Sequence, residues 1–165
     1  GGADEGMVEV HIDWQKCSDE LENTGLSIEQ QFKEILTELG QKEPHIRSKL
    51  YYNTGITQTR GFHTDGQKEQ YKLFIYLTKV ELKDGTYPIV PGSHRWFLKK
   101  FFSKTLNIIR RSKVDINSYL FDIEGEVKLV REKNSYFISD QNLLHRGWPQ
   151  TQDGERLVLV LDSVN

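Results

Sequence analysis

Residues 155–163 read Glu-Arg-Leu-Val-Leu-Val-Leu-Asp-Ser. Leu157, Leu159 and Leu161 fall on one side, Arg156, Val158 and Val160 on the other. This period of two is what an extended strand imposes on its side chains. Residues 71–80 repeat the pattern, with Leu73, Ile75 and Leu77 opposed to Lys72, Phe74 and Tyr76. Outward from these two runs, short apolar stretches bounded by Gly, Pro, Asp and Asn predict strands over 48–54, 60–65, 86–90, 126–131, 134–140 and 143–148. Eight short strands make the chain mainly β with flanking helices. The architecture expected is a sandwich or jelly roll of the cupin-like kind.

Two helices interrupt the strand set. The first is expected over 27–39, where Ser27 and Gln30 have capping-box spacing. Phe32, Ile35, Leu36 and Leu39 form one stripe there, and Gly40 suits the stop. The second is expected over 94–112, behind Ser93 as a cap, as a helical insertion rich in aromatics. Between Arg95 and Lys113 it carries seven basic residues and no acidic one.

A chain of 165 residues is read as one domain, 1–165, large enough for a core of its own. Residues 1–6 precede the only methionine, Met7, and are set aside as a tag remnant or a trimmed end. A net charge of −2 gives no overall attraction to nucleic acid or anionic lipid. The longest aliphatic run, Leu157–Leu161, is far below the roughly 20 residues of a membrane span. No apolar leader opens the chain, and a single cysteine, Cys17, fits a reducing compartment. The expected location is cytoplasmic, with no membrane or nucleic-acid partner.

His63-Thr64-Asp65 is the sharpest local signal. On a strand, positions i and i+2 share a face, so an imidazole and a carboxylate meet one ion. His145, on the late strand candidate, supplies a third ligand. Two histidines and one carboxylate on one face of an ion leave positions open opposite, as Fe(II) oxygenases require. Arg156 follows eleven positions after His145 and points away from the Leu157, Leu159, Leu161 stripe, taken as the core-packing face. A guanidinium facing a cavity matches a carboxylate through two hydrogen bonds. Taken alone, an edge-of-sheet arginine paired with a surface glutamate would be the favoured reading; the triad upstream favours the anchor. Lys72 and Tyr76, on the less aliphatic face of their strand, are further candidates to line that cavity, as are Tyr51, Tyr52 and Asn53.

Together these residues resemble the phytanoyl-CoA dioxygenase-like family of Fe(II)/2-oxoglutarate oxygenases. The matching pieces are Gly61-Phe62-His63-Thr64-Asp65, Lys72-Leu73-Phe74-Ile75-Tyr76-Leu77, Val90-Pro91-Gly92-Ser93-His94, and His145-Arg146-Gly147 followed by Arg156. The likeness spans roughly residues 50–163. It implies a double-stranded β-helix with Fe(II) held by His63, Asp65 and His145. It implies 2-oxoglutarate and O2 as co-substrates, with Arg156 on the distal carboxylate, and hydroxylation with release of succinate and CO2. Related halogenases lack the carboxylate, so Asp65 argues for hydroxylation. Gly147 departs from the pattern, because many relatives carry a hydroxyl residue there. His94 belongs to the turn motif and is read as structural.

The substrate expected is a small molecule. The basic 95–113 segment is read first as a solvated helix face whose aromatics pack on the sheet, and otherwise as a surface that could attract an anionic or carrier-bound substrate. Two rival readings stand beside the oxygenase. One is a non-catalytic cupin-like sensor or interaction domain that binds metal, which has no need of a cavity-facing Arg156. The other is a peptide or nucleic-acid oxygenase, disfavoured for nucleic acid because no basic groove with stacking aromatics is visible. The sequence leaves the oligomeric state open.

Overall fold

A computed structural model describes residues 6–65, 70–110 and 125–164. Five strands form one antiparallel sheet in the order β1 (Met7–Ile12), β2 (His45–Thr54), β7 (Glu155–Val164), β3 (Tyr71–Tyr76) and β6 (Tyr136–Asp140). A second sheet pairs β4 (Tyr87–Ile89) with β5 (Val127–Leu129). Among the described residues the chain is thus mainly β with two α-helices.

The stretches 60–65 and 143–148, expected as strands, are not strands. Each holds one β-bridge residue: His63 bridges His145, and His145 also bridges Ile89. Their backbones still run along the small sheet, through Val90 N–H to Leu144 O (2.9 Å), Arg146 N–H to Pro88 O (3.2 Å) and Trp148 N–H to Thr86 O (3.0 Å). The backbone bonds of 143–148 stitch it to its neighbours without a continuous ladder. Strand β1 was not anticipated. It is an edge strand whose Val8 and Val10 are about half exposed, so no buried stripe marks it.

Helix α1 (Asp19–Glu38) begins eight residues before the expected start. Ser18 is its N-cap residue, and Asp19, Glu20 and Glu22 place negative charge in the first turn, where the helix dipole favours it. Ser27 and Gln30 are therefore interior, not a capping box; the Ser27 hydroxyl instead accepts from the Gln31 amide at 3.3 Å. The stop is as expected: Gly40 has φ +89° and Gln41 N–H bonds back to Leu36 O at 2.9 Å, closing the helix on a left-handed glycine.

Phe32 and Leu36, both fully buried, press α1 onto Ile46, Leu73, Leu159 and Leu161 of the large sheet. Burying each such side chain contributes about 1.5–3 kcal/mol. The opposite face of that sheet is also apolar. Phe74, Tyr76, Val158 and Val160 meet Val80 and Tyr87 across the gap to the small sheet. The leucine stripe is hence the helix-facing side, and Arg156 belongs to the face turned inward between the sheets. Both faces of β3 and β7 are covered.

Helix α2 (Phe97–Arg110) follows a short turn of helix at Ser93–Arg95; positions 111 and 112 of the expected helix lie outside the described residues. Phe101 and Phe102 are exposed, so the sheet does not cover these aromatics. Ser93 does not cap the helix. It is fully buried and its hydroxyl accepts the N–H of Leu144 at 2.8 Å.

Candidate metal centre

The bridge between residues 63 and 145 sets two imidazoles side by side, ring centroids 4.6 Å apart. Each ring is fixed from behind. His63 Nδ1 lies 2.9 Å from Gly61 O, and His145 Nδ1 lies 2.9 Å from Leu143 O. A carbonyl only accepts, so Nδ1 carries the proton and each neutral ring turns a bare Nε2 forward. Arg60 Nη2 approaches His63 Nε2 at 3.3 Å, which suits a donor meeting that lone pair.

Asp65 faces both nitrogens. Its Oδ1 lies 3.6 Å from His63 Nε2 and 3.6 Å from His145 Nε2. Its backbone N–H is held by Gln141 O at 3.2 Å, so the loop aims the carboxylate. The residue as a whole is open to solvent, but its side chain is only 23% accessible. Burial alone would raise its pKa. The neighbouring His145, and the charge and hydrogen bond of Lys72, outweigh this and hold the carboxyl well below the usual carboxylate range. His63 is shifted down, first because burial disfavours the imidazolium, with the neighbouring His145 and Arg60 adding to it.

One donor atom from each of His63, Asp65 and His145 lies within 4.8 Å of the others. A metal at about 2.1 Å from three donors would space them about 3.0–3.4 Å apart. The carboxylate–imidazole separations thus need a contraction of only a few tenths of an ångström. Two lone-pair nitrogens and an ionised oxygen on one side fit a divalent ion with open positions on the other.

The remaining expected site residues divide between two places. Lys72 Nζ lies 2.5 Å from Asp65 Oδ2, against the metal group itself. Arg156 donates to Gly85 O and, at 3.3 Å, to Asn53 Oδ1. Tyr76 is buried within reach of the positive charge of Arg156. Lys72 pairs with Asp162 across β3 and β7, and Arg156 lies six residues back along β7, so the two side chains leave the same inward face at different levels. Of the other lining candidates, Tyr51 and Asn53 share the inward face with Arg156, while Tyr52 turns the other way and is partly exposed. His94 holds no place in the triad; its carbonyl accepts from Lys100, which also donates to Asn142 O at 2.9 Å and so ties α2 to the loop before His145.

Several contributors were not anticipated. Tyr87 stacks on His145 at 5.1 Å and continues into Phe74 and Phe137, a dry aromatic floor behind the metal group. Burial pushes the Tyr87 hydroxyl far up, and it donates toward Gln141 Oε1. A cavity of about 720 Å³ opens beside Arg60, lined by Thr57, Gln58, Thr59 and Gln152 with glycines 6 and 55. Where a side chain at Gly147 would begin, the nearest group is Thr59, at 3.5 Å.

No protein-family model matches the chain and no curated protein matches it, so the phytanoyl-CoA dioxygenase-like resemblance rests on the motifs alone. Solved structures do match. HygX from Streptomyces hygroscopicus, with nickel and 2-oxoglutarate bound, superposes with a TM-score of 0.59 at 10% identity, over 96% of this chain and 69% of that one. SnoK, a non-heme alpha ketoglutarate dependent carbocyclase from nogalamycin biosynthesis, gives 0.61 at 16% identity, over 99% and 66%. EvdO2 from Micromonospora carbonacea var. aurantiaca, complexed with 2-oxoglutarate, gives 0.54 at 14% identity, over 74% and 53%. The chain spans about half to two thirds of the length of these proteins. No helix among the described residues is long and apolar enough to cross a membrane. At such identities the likeness speaks for the fold, and the chain has the fold of these non-heme oxygenases.

Proposed function

We propose that the chain is the core of an Fe(II)- and 2-oxoglutarate-dependent dioxygenase, of the phytanoyl-CoA dioxygenase-like kind and built on a double-stranded β-helix. It hydroxylates a small molecule and releases succinate and CO2. One observation carries the reading: two tautomer-fixed imidazoles and one ionised carboxylate converge on a single point.

Bound there, iron would supply the activation of O2 that an unactivated C–H bond requires. His63, Asp65 and His145 would hold it on one face. Arg156, on the inward face, would take the distal carboxylate of 2-oxoglutarate with Tyr76 beside it. The aromatic floor of Tyr87, Phe74 and Phe137 keeps water from the back of the centre. The cavity beside Arg60, lined by hydroxyl and amide side chains with one guanidinium, suits a polar substrate carrying negative charge. That solved structures of this fold hold 2-oxoglutarate, and in one case nickel with it, supports the choice of co-substrate.

Anaerobic addition of Fe(II) and 2-oxoglutarate tests the proposal. A weak visible charge-transfer band is expected, and His145→Ala should abolish it. Absence of the band in the unaltered protein would remove this mechanism. Slow conversion of 2-oxoglutarate to succinate without added substrate would then mark an enzyme, not a metal-binding relic.

A further inference from the structure

Asp65 has two oxygens, and the structure uses them differently. Oδ1 faces both Nε2 atoms at 3.6 Å, while Oδ2 is held by the Lys72 ammonium at 2.5 Å. Lys72 is itself pinned. Its cross-strand neighbour is Asp162, only 2% exposed, whose Oδ1 lies 3.7 Å from Nζ. Asp162 in turn meets Lys49 at 3.4 Å, and Lys49 meets Glu9 at 2.9 Å. Glu9, Lys49, Asp162, Lys72 and Asp65 thus form one row of alternating charge on the inward face, crossing β1, β2, β7 and β3 and ending on the candidate ligand. Burying a carboxylate as deeply as Asp162 is costly unless it is paired. Here its partners are Lys49, Lys72 and, at 4.0 Å, Arg47, and Lys72 reaches the metal group.

We infer that Lys72 is a positioning residue that reserves the second oxygen of Asp65. It confines the carboxylate to one-oxygen ligation and so keeps a neighbouring coordination position open for the co-substrate. Asp162 fixes Lys72 in that place. The inference rests on the proposed metal site and adds a division of labour between its two carboxylate oxygens. Without Lys72, Oδ2 is free to turn onto the ion and occupy a position that a bidentate oxo-acid needs. The same change removes a cation from beside a divalent ion. Both effects favour metal and disfavour co-substrate.

The test is titration of Ni(II), then of 2-oxoglutarate into the Ni(II)-loaded protein, for the unaltered chain, Lys72→Gln, Lys72→Arg and Asp162→Asn, with apo far-ultraviolet circular dichroism confirming the fold. Lys72→Gln should bind Ni(II) as tightly or more tightly, and 2-oxoglutarate about 10-fold or more weakly. Lys72→Arg, which keeps a cationic donor, should restore most of the co-substrate affinity, and Asp162→Asn should move in the direction of Lys72→Gln by less. Loss of a supporting partner alone typically weakens metal binding about 10- to 100-fold. Weaker Ni(II) binding by Lys72→Gln would therefore overturn the inference, as would unchanged 2-oxoglutarate binding. If the unaltered protein binds no Ni(II), the proposed site itself fails. If it binds Ni(II) but no 2-oxoglutarate, the co-substrate reading fails, while the direction of the Ni(II) change still decides the role of Lys72.

Discussion

The backbones of His63 and His145 bond each other in both directions, N–H to carbonyl at 3.0 Å each way. A single rung therefore carries both imidazoles, and their spacing does not depend on long side chains finding each other. Each ring adds a bond from Nδ1 to a carbonyl two residues upstream in its own segment. The centre is preorganised by backbone geometry, as a metal site on a rigid scaffold has to be.

Ser93 extends that scaffold, so Ser93→Ala should be felt at the metal. The hydroxyl is the acceptor for the N–H of Leu144, and both residues are fully buried. Leaving a buried N–H unsatisfied costs about 1–3 kcal/mol. For a chain of this size, thermal unfolding should fall by about 2–4 °C per kcal/mol. Because Leu144 adjoins His145, Ni(II) affinity should fall as well. A normal melting temperature in Ser93→Ala would show that the bond contributes nothing.

The imidazole of His63 should titrate below its ordinary value of 6.5 in the apo protein, because burial opposes its charged form. Between that lowered value and 6.5 the unfolded chain binds more protons than the folded one. Stability therefore rises with pH through this window, is fully present above it, and is lost as pH falls. Asp65 acts in the same sense at lower pH: its depressed folded pKa gives stability above the unfolded value that disappears under acid. Nitrogen NMR of the apo protein should find His63 neutral near pH 6.5, protonated on Nδ1 and bare on Nε2. A His63 that is half charged at pH 6.5 or above would contradict this.

Much of this centre is legible in the sequence, because spacing encodes it. His63 and Asp65 are two apart, and β3 and β7 announce themselves by strict alternation. What the sequence conceals is what alternation cannot show. Val158 and Val160 look like the lesser face beside three leucines, yet both faces of β7 are covered, one by α1 and one by the small sheet. The segments carrying His63 and His145 look like strands, but each makes only an isolated bridge. The true start of α1 lacks an apolar signal, since Leu21 and Leu26 are exposed. Lys72 and Arg156 both read as inward polar residues. Only register reveals that they serve opposite ends of the same face.

Arg156 should set co-substrate affinity. Its guanidinium is half-buried and oriented by Gly85 O and Asn53 Oδ1, so it is held ready before any ligand arrives. A hydrogen-bonded charged pair contributes about 1.5–3 kcal/mol, or roughly 10- to 150-fold in affinity. Arg156→Gln should weaken 2-oxoglutarate binding to the Ni(II)-loaded protein by that factor and leave Ni(II) binding itself unchanged. Arg156→Lys should recover little, since a point charge does not reproduce the planar fork. Equal 2-oxoglutarate affinities in Arg156→Gln and the unaltered chain, by calorimetry, would assign the anchor elsewhere.

Gly25→Ala sets helix propensity against packing, and packing should win. Alanine in place of an interior helical glycine favours the helix by about 1 kcal/mol. Gly25 is buried in α1, and an added Cβ would lie 2.2–2.5 Å from atoms of the Trp14 ring. That ring cannot easily retreat, because its Nε1 donates to Glu29 Oε1 at 2.8 Å and to Ser48 Oγ at 3.1 Å. Forcing an extra methyl into such a contact typically costs about 1–3 kcal/mol. The expected outcome is a lower denaturation midpoint together with a change in tryptophan fluorescence as Trp14 is displaced. A Gly25→Ala variant more stable than the parent would mean that Trp14 is free to move, and that its two hydrogen bonds do not hold α1 to β2.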